Sequence, residues 1–337
     1  MQEIDWKNLS FGYIKTDYNV RVYYRDGKWG EVEVCSEETI PMHMAATCLH
    51  YGQEAFEGLK AYRCPDGKVR VFRVDENAAR LQSTCRGILM PEVPTEMFIS
   101  MVKKVVRLNE RFIPPYESGA TLYIRPLLIG TSAQVGVHPS KEYLFLIFVT
   151  PVGPYFKGGF STNPYVIVRE YDRSAPLGTG IYKVGGNYAA SLKANDIAHQ
   201  KGYACEFYLD AKEKKYMDEC GAANFFGIKD NAYVTPKSTS ILPSITNKSL
   251  MQLAEDYGMK VERRQYQKKN WRPSRRLVHA ERLQLYLLFH TLTIWTLVSA
   301  TPSLKMGSLV RCLPNSIITC VISSMALKKT SMAGPPW

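Results

Sequence analysis

Short runs in which apolar and polar residues alternate are followed, again and again, by stretches with helical spacing. Val20–Tyr24 and Lys28–Val34 flank Asp26-Gly27, a pair that favours a tight two-residue turn, and predict a hairpin. Lys68–Val74 alternates as a strand, and Asp75 is placed to cap a helix running to about Cys85. Between Thr95 and Phe112, Met97, Met101, Val105 and Leu108 share one helical face, and Pro114-Pro115 ends that helix. Thr121–Ile129 and Glu142–Thr150 are apolar, β-rich runs suited to buried strands. Pro151–Pro164 is rich in Gly and Pro and reads as a linker. Strands are predicted at Tyr165–Glu170, Glu206–Asp210, Phe225–Lys229 and Ala232–Thr235. Helices are predicted at Asn187–Gln200 and at Thr246–Tyr257, the latter closed by Gly258. The mixture predicts an α/β chain without internal repeats.

The pattern changes near the end. Leu283–Val298 (LQLYLLFHTLTIWTLV) is almost uncharged, yet shorter than the roughly 20 apolar residues of a membrane helix. It reads as a core helix or as a non-native segment. Charge marks the same boundary. The chain has 337 residues and a net charge of +12, but residues 268–337 hold ten Lys/Arg against the single acid Glu281. The remaining body carries only +3, so a nucleic-acid or membrane partner would rest on the tail alone. Hydrophobic residues at 45% suit a globular chain, and the length suggests two domains or one large one. The eight cysteines form no C-x-x-C pair, and the first residues lack a basic segment followed by an apolar one. A reducing cytoplasm is the expected location.

Three segments carry candidate chemistry. Lys183 stands among small residues in Gly178-Thr-Gly-Ile-Tyr-Lys-Val-Gly-Gly-Asn-Tyr188, which lacks the Gly spacing and the Ser/Thr of a P-loop. A buried lysine with a depressed pKa is the amine that condenses with an aldehyde; the plainer alternative is a solvated lysine beside a turn. Glu219, in Glu-Cys-Gly-Ala-Ala-Asn224, would alone be an ordinary surface acid. Pro243-Ser-Ile-Thr246 opens a helix, whose free N–H groups suit either a simple cap or an anion. The six histidines show no metal-ligand spacing, and no Gly-x-Ser-x-Gly elbow occurs, so no metal site is expected.

Taken together, an amine, an acid and an anion seat are what pyridoxal 5′-phosphate (PLP) chemistry needs. The carriers are HYGQEAFEGLKAYR at 50–63, LYIRPLLIG at 122–130, KVGGNYAASL at 183–192, ECGAANFF at 219–226 and ILPSITNKSL at 241–250. With them the chain, from about Phe11 to Arg264, resembles the branched-chain aminotransferases. The resemblance implies the two-domain α/β PLP fold type IV, like that of the D-amino acid aminotransferases. It implies transamination of leucine, isoleucine and valine with 2-oxoglutarate, giving glutamate, in a homodimer. Lys183 would then be the catalytic lysine and Glu219 the partner of the pyridine nitrogen. Tyr188 would bond the ring oxygen, Leu242 would pack on the ring, and Arg80, Ile245 and Thr246 would hold the phosphate. Phe11, Tyr51, Phe56 and Tyr123 would form the aliphatic substrate wall, and Arg125 would take the distal carboxylate of glutamate. The chain has Asn247 where the family often has Arg, and Ser244 where it often has Gly. A D-amino acid transaminase, an aminodeoxychorismate lyase or an inactive pseudogene product is the alternative.

Beyond Arg264 the resemblance stops, and the Gly-Thr-Ala loop that the family places next is absent. Back-translation from Leu277, shifted by one base, admits Gly-Ala-Cys-Gly-Thr-Ala-Ala-Val-Ile-Ser-Pro-Ile-Ser, a string similar to that loop and its following strand. Met325–Trp337 likewise admits Gly-Ile-Glu-Glu-Asp-Lys-His-Gly-Trp, similar to the family's end. A frameshift between about Arg264 and Lys269 is the expectation. The organisation expected is a smaller domain at 1–152, a linker at 153–164, an incomplete cofactor domain at 165–267 and a frameshifted tail at 268–337.

Overall fold

The computed structural model describes residues 4–153, 161–229, 231–267, 282–289 and 294–297. The first half builds an eight-stranded sheet. It opens with β1 (Asn19–Arg25), β2 (Lys28–Trp29) and β3 (Glu33–Cys35). The turn between β1 and β2 uses positive φ at Asp26 (52°) and Gly27 (76°), as a two-residue hairpin of that hand requires. The predicted second arm is not one strand: it breaks after Trp29, and β3 resumes pairing with β1 further along. Helix α1 (Thr47–Tyr51), β4 (Glu54–Phe56), β5 (Leu59–Arg63) and β6 (Val69–Val71) follow. Helix α2 (Val74–Gly87) starts one residue before the predicted cap: Arg73, at φ 48°, takes the cap position and Asp75 lies in the first turn. Helix α3 (Thr95–Leu108) ends short of Phe112, which belongs to a separate 3-10 turn at Glu110–Phe112. Strands β7 (Thr121–Gly130) and β8 (Tyr143–Val152) then pair antiparallel along their whole length.

Alternation along β7 decides what each face of this sheet does. Leu122, Ile124 and Leu128 point one way and are fully buried with Leu81, Phe98, Val102 and Val105 of α2 and α3. Tyr123, Arg125 and Leu127 point the other way. One face therefore makes the core and the opposite face is free to build a site.

The second half is organised by crossover helices. Strand β9 (Ser161–Val168) pairs parallel with β10 (Cys205–Leu209), and α4 (Gly185–Gln200) connects them. Strands β11 (Met217–Cys220) and β12 (Ala223–Asn224) extend that sheet, and β13 (Gly227–Lys229) pairs with β14 (Ala232–Thr235) beside it. Helix α5 (Ile245–Asp256) links β14 to the parallel strand β15 (Lys260–Arg263). Tyr257 caps α5, and Gly258 at φ 72° follows in the left-handed conformation that ends such helices. The other edge of β9 carries β16 (Arg282–Phe289), followed by β17 (Ile294–Leu297).

Two expectations change. The Gly/Pro run 151–164 is not linker throughout, because β8 includes Pro151 and Val152 while β9 begins at Ser161. Pro151 pairs with Leu122 on one side, and the β1 ladder on the other side stops at Ile147, so its missing N–H leaves no ladder bond unmade there. The run 283–298 is not a core helix: residues 282–289 and 294–297 form strands. Residues 268–281 and 298–337, on which the expected frameshift and the missing loop bear, lie outside the described residues.

Candidate active site

Lys183 lies just before α4, and its backbone is tied to helix α2 and to the first sheet. Its N–H donates to Thr84 Oγ1 at 3.1 Å, and its carbonyl accepts from the Phe56 N–H at 3.1 Å. Asn187 holds the preceding loop by donating to the carbonyls of Thr179 (2.8 Å) and Tyr182 (2.9 Å). Gly180 is required here: a Cβ would stand 2.2 Å from the Ser240 carbonyl oxygen, which is backbone and cannot give way. The side chain ends at the Tyr188 hydroxyl, 2.7 Å from Nζ, one helical turn on. Burial, reinforced by the charge of Arg80, lowers the Lys183 amine to about 8, and Glu57 opposes the shift. Part of the Lys183 population is therefore neutral near pH 8, as a nucleophile requires.

Glu219 occupies the end of β11 and is buried. Its Oε1 accepts from Arg173 Nη1 at 2.8 Å and from the Leu242 N–H at 3.1 Å, and its Oε2 accepts from Asn224 Nδ2 at 2.9 Å. Burial pushes this carboxyl up to about 7, against the pull of Arg173, the Leu242 N–H and the Asn224 amide. Arg173 is itself buried and also donates to the carbonyls of Ser240 (3.0 Å) and Gly180 (3.3 Å).

Arg80 sits on α2, paired with Glu57. Its Nε and Nη2 donate to the two oxygens of Glu57 at 2.8 and 2.7 Å, and its Nη1 reaches the Pro243 carbonyl at 3.0 Å. Glu57 is fully buried and also accepts from Asn77 Nδ2 at 2.8 Å. Two of the five guanidinium N–H donors remain for another acceptor. Across the pocket from Lys183, Ser244 caps α5: its Oγ accepts from the Asn247 N–H at 3.1 Å. The N–H groups of Ile245 and Thr246, in the first turn, have no partner within their helix. Arg80, Lys183, Tyr188, Glu219, Leu242, Ile245 and Thr246 line one pocket, with Gly58, Tyr123 and Arg173.

The substrate-side candidates divide. The Phe56 ring lies 5.0 Å from the Tyr188 ring and under Lys183 Nζ at 4.6 Å. The guanidinium of Arg125 stands over the same ring at 4.8 Å and donates to the Tyr123 hydroxyl from Nη2 at 2.9 Å. Phe11 meets Tyr123 edge-on at 5.4 Å. These residues form one continuous wall beside Lys183. Tyr51 is not part of it within this chain: it is exposed on α1 and its hydroxyl donates to the Val135 carbonyl. Glu57 and Arg173 were not singled out in the sequence. The signal for Glu57 was its place in Phe56-Glu57-Gly58, next to a candidate aromatic; for Arg173 no local signal exists, because Glu219 lies far along the chain.

An amine, a buried acid and an anion-ready helix start thus meet in one pocket whose rim is aromatic, on a fold with two crossover helices. The family description "Amino-transferase class IV" matches residues 54–278. A branched-chain-amino-acid aminotransferase of Haemophilus influenzae is 51% identical over 262 residues, covering 76% of each chain. The crystal structure of the Escherichia coli branched-chain amino acid aminotransferase superposes with a TM-score of 0.65 at 27% identity, over 76% of this chain and 80% of that one. The branched-chain aminotransferase of the archaeon Thermoproteus uzoniensis, solved with norvaline, shares the fold at a TM-score of 0.68 and 21% identity, over 90% of this chain and 95% of that one. The chain therefore belongs to the class IV aminotransferases and, among them, to the branched-chain-amino-acid aminotransferases.

Proposed function

We propose that this chain transfers the amino group of leucine, isoleucine or valine to 2-oxoglutarate, with PLP held at Lys183. The observation that carries the reading is the half-buried Lys183 amine, bonded to Tyr188 in a pocket with a buried acid and a helix start. The donor set fits the cofactor. Arg80 and the first turn of α5 offer N–H donors to a phosphate, Glu219 offers a carboxylate to a protonated pyridine nitrogen, and Leu242 offers an apolar side chain to a ring. When bound, PLP supplies the electron sink for charge developing at the substrate's α-carbon.

The chain's own residues do the rest. Lys183 Nζ is the group that moves the α-proton, and the Tyr188 hydroxyl beside it fixes its direction. Arg173 keeps a positive charge against Glu219, favouring the carboxylate that a pyridine N–H needs. Phe11, Phe56 and Tyr123 exclude water from an aliphatic side chain, and Arg125 offers a charge to an acidic one.

A homodimer in the cytoplasm belongs to this reading. Support for the dimer comes from exposed apolar side chains on adjoining segments: Met44 and Leu49 beside Val135 and Val137, joined through the Ala46–Ala133 bridge. Support for the compartment comes from six free cysteines among the described residues. No helix among the described residues is long and apolar enough to cross a membrane. The reading of the tail as frameshifted is kept as part of the proposal, and sequencing the coding DNA across codons 260–285 tests it.

The decisive experiment adds PLP to the protein and to Lys183→Ala. The protein should develop a visible absorbance band and transfer nitrogen from leucine to 2-oxoglutarate; the variant should do neither. A band of equal strength in the variant would overturn the assignment of Lys183. Turnover of D-alanine in preference to leucine would move the chain to the D-amino acid transaminases.

A further inference from the structure

The wall described above must accept an aliphatic side chain in one half of the reaction and a carboxylate in the other. Arg125 already places one permanent cation in this wall; a second permanent charge would penalise the aliphatic substrate further, and a second anchor that appears only with the carboxylate would not. Lys60 meets this conflict. It lies on β5 directly opposite Tyr123 of β7, so the two side chains leave the sheet on the same face, and Arg125 follows two residues on. Its side chain is buried at 3% exposure, and its Nζ stands 5.8 Å from the centre of the Phe11 ring. Among the described residues it has neither a hydrogen-bond partner nor a carboxylate within ion-pair reach.

Among the charged groups of the surrounding elements, Glu54 of β4 is coupled to Arg125, whose charge opposes the rise that burial gives its carboxyl, and it does not act on Lys60; the others are committed elsewhere. Glu57, between β4 and β5, is held by Arg80 and Asn77 of α2. Arg70 of β6 pairs with Asp66, and Tyr13 and Lys15 of the N-terminal segment both bond Glu38. On β7, Tyr123 accepts from Arg125, which leaves that cation without a carboxylate bonded to it among the described residues. No described carboxylate offsets a charge on Lys60, and burial alone lowers its amine to about 7.

We propose that Lys60 is a second anchor, beside Arg125, for the distal carboxylate of the acidic substrate, neutral when an aliphatic side chain fills the wall and protonated when the carboxylate enters. The proton comes from solvent and binds Nζ, so the bound carboxylate and the ammonium form as a pair. Lys60 then adds no second charge against the aliphatic substrate, and adds one when the carboxylate enters. The inference rests on the transaminase reading of the pocket.

The test is calorimetric titration of the full chain, supplemented with PLP, using glutarate as the dicarboxylate and 4-methylpentanoate as the aliphatic probe. At about pH 8, where a free amine of this pKa is mostly neutral, glutarate should bind with uptake of about one proton, read as a heat that depends on the buffer. Lys60→Met should weaken glutarate by about tenfold or more and abolish the uptake, while 4-methylpentanoate stays within about twofold. Lys60→Arg should restore affinity without the uptake. Equal weakening of both probes would mean a structural role and overturn the proposal, as would glutarate binding unchanged in Lys60→Met. A protein that binds 4-methylpentanoate but not glutarate overturns the proposal and leaves the aliphatic wall standing. A protein that binds neither overturns the transaminase reading and this inference with it.

Discussion

Two arginine–glutamate pairs, each with a buried acid, flank Lys183, and they are wired in opposite senses. In the Arg80–Glu57 pair the glutamate is the sealed partner, held by two parallel bonds, and the arginine keeps donors for the pocket. In the Arg173–Glu219 pair a single nitrogen makes the bond, and the acid faces the pocket with Leu242 and Asn224 around it. Each charge offered to the pocket is offset by an opposite charge behind it. Burying a charge without such a partner is expensive, so the offset is what lets a small pocket present a cation at one end and an anion at the other.

That contrast can be broken at its strongest point first. Arg80→Met leaves the fully buried Glu57 carboxylate without its cation and should cost about 3–5 kcal/mol of unfolding free energy. Glu57→Gln should cost less, because Arg80 reaches the pocket, and the double variant should lose less than the sum of the two. Chemical denaturation of the four proteins checks this; strict additivity would deny the pair.

The second pair should show itself through pH. Glu219 holds its proton up to about 7 when folded, against about 4.3 in an unfolded chain. Its raised pKa contributes stability that is complete below about pH 4 and is lost as pH rises through 7, on the order of 3 kcal/mol in all. Glu219→Gln should flatten that slope, whereas Arg173→Met should carry it to higher pH. Unfolding curves between about pH 5 and 9 distinguish the two.

A smaller effect sharpens the contrast between the pocket's two ends. In Gly58→Ala the new Cβ would stand 2.5 Å from the Tyr123 hydroxyl, pushing it from Arg125. The expected cost is about 1–3 kcal/mol, with a higher KM for 2-oxoglutarate and unchanged PLP affinity. Ser244→Ala removes the cap of α5 and should lower stability by about 1 kcal/mol, measurable by thermal unfolding.

The sequence shows some of this arrangement readily and some of it hardly at all. Strands with strict patterning, such as β7 and β8, and helices with a clear stop, such as α5 with Gly258, could be read because the information is local. The strands entering the Gly/Pro run could not, since Pro151 is harmless only by virtue of which neighbour its edge lacks, a fact of the sheet and not of the segment. Lys183, Tyr188, Glu219 and the start of α5 stood out as three separate segments, and one pocket gathers them. Arg173 stayed hidden because it lies in a loop and its partner comes from a strand far along the chain. Tyr51 was grouped with the wall by resemblance, and in this chain its hydroxyl turns to Val135 instead.

The backbone of Lys183 is stitched to Thr84 and Phe56 on one side, while its side chain answers to Tyr188 on the other. The reactive amine is therefore a seam between the two halves of the molecule and belongs to neither alone. A spectroscopic label carried on that nitrogen reports both halves at once: loosening of the first sheet should disturb its colour as surely as damage to the second. Unfolding followed through such a label and unfolding followed by the fluorescence of Trp29, packed against the core of the first half, would coincide if the seam holds the two together as one cooperative unit.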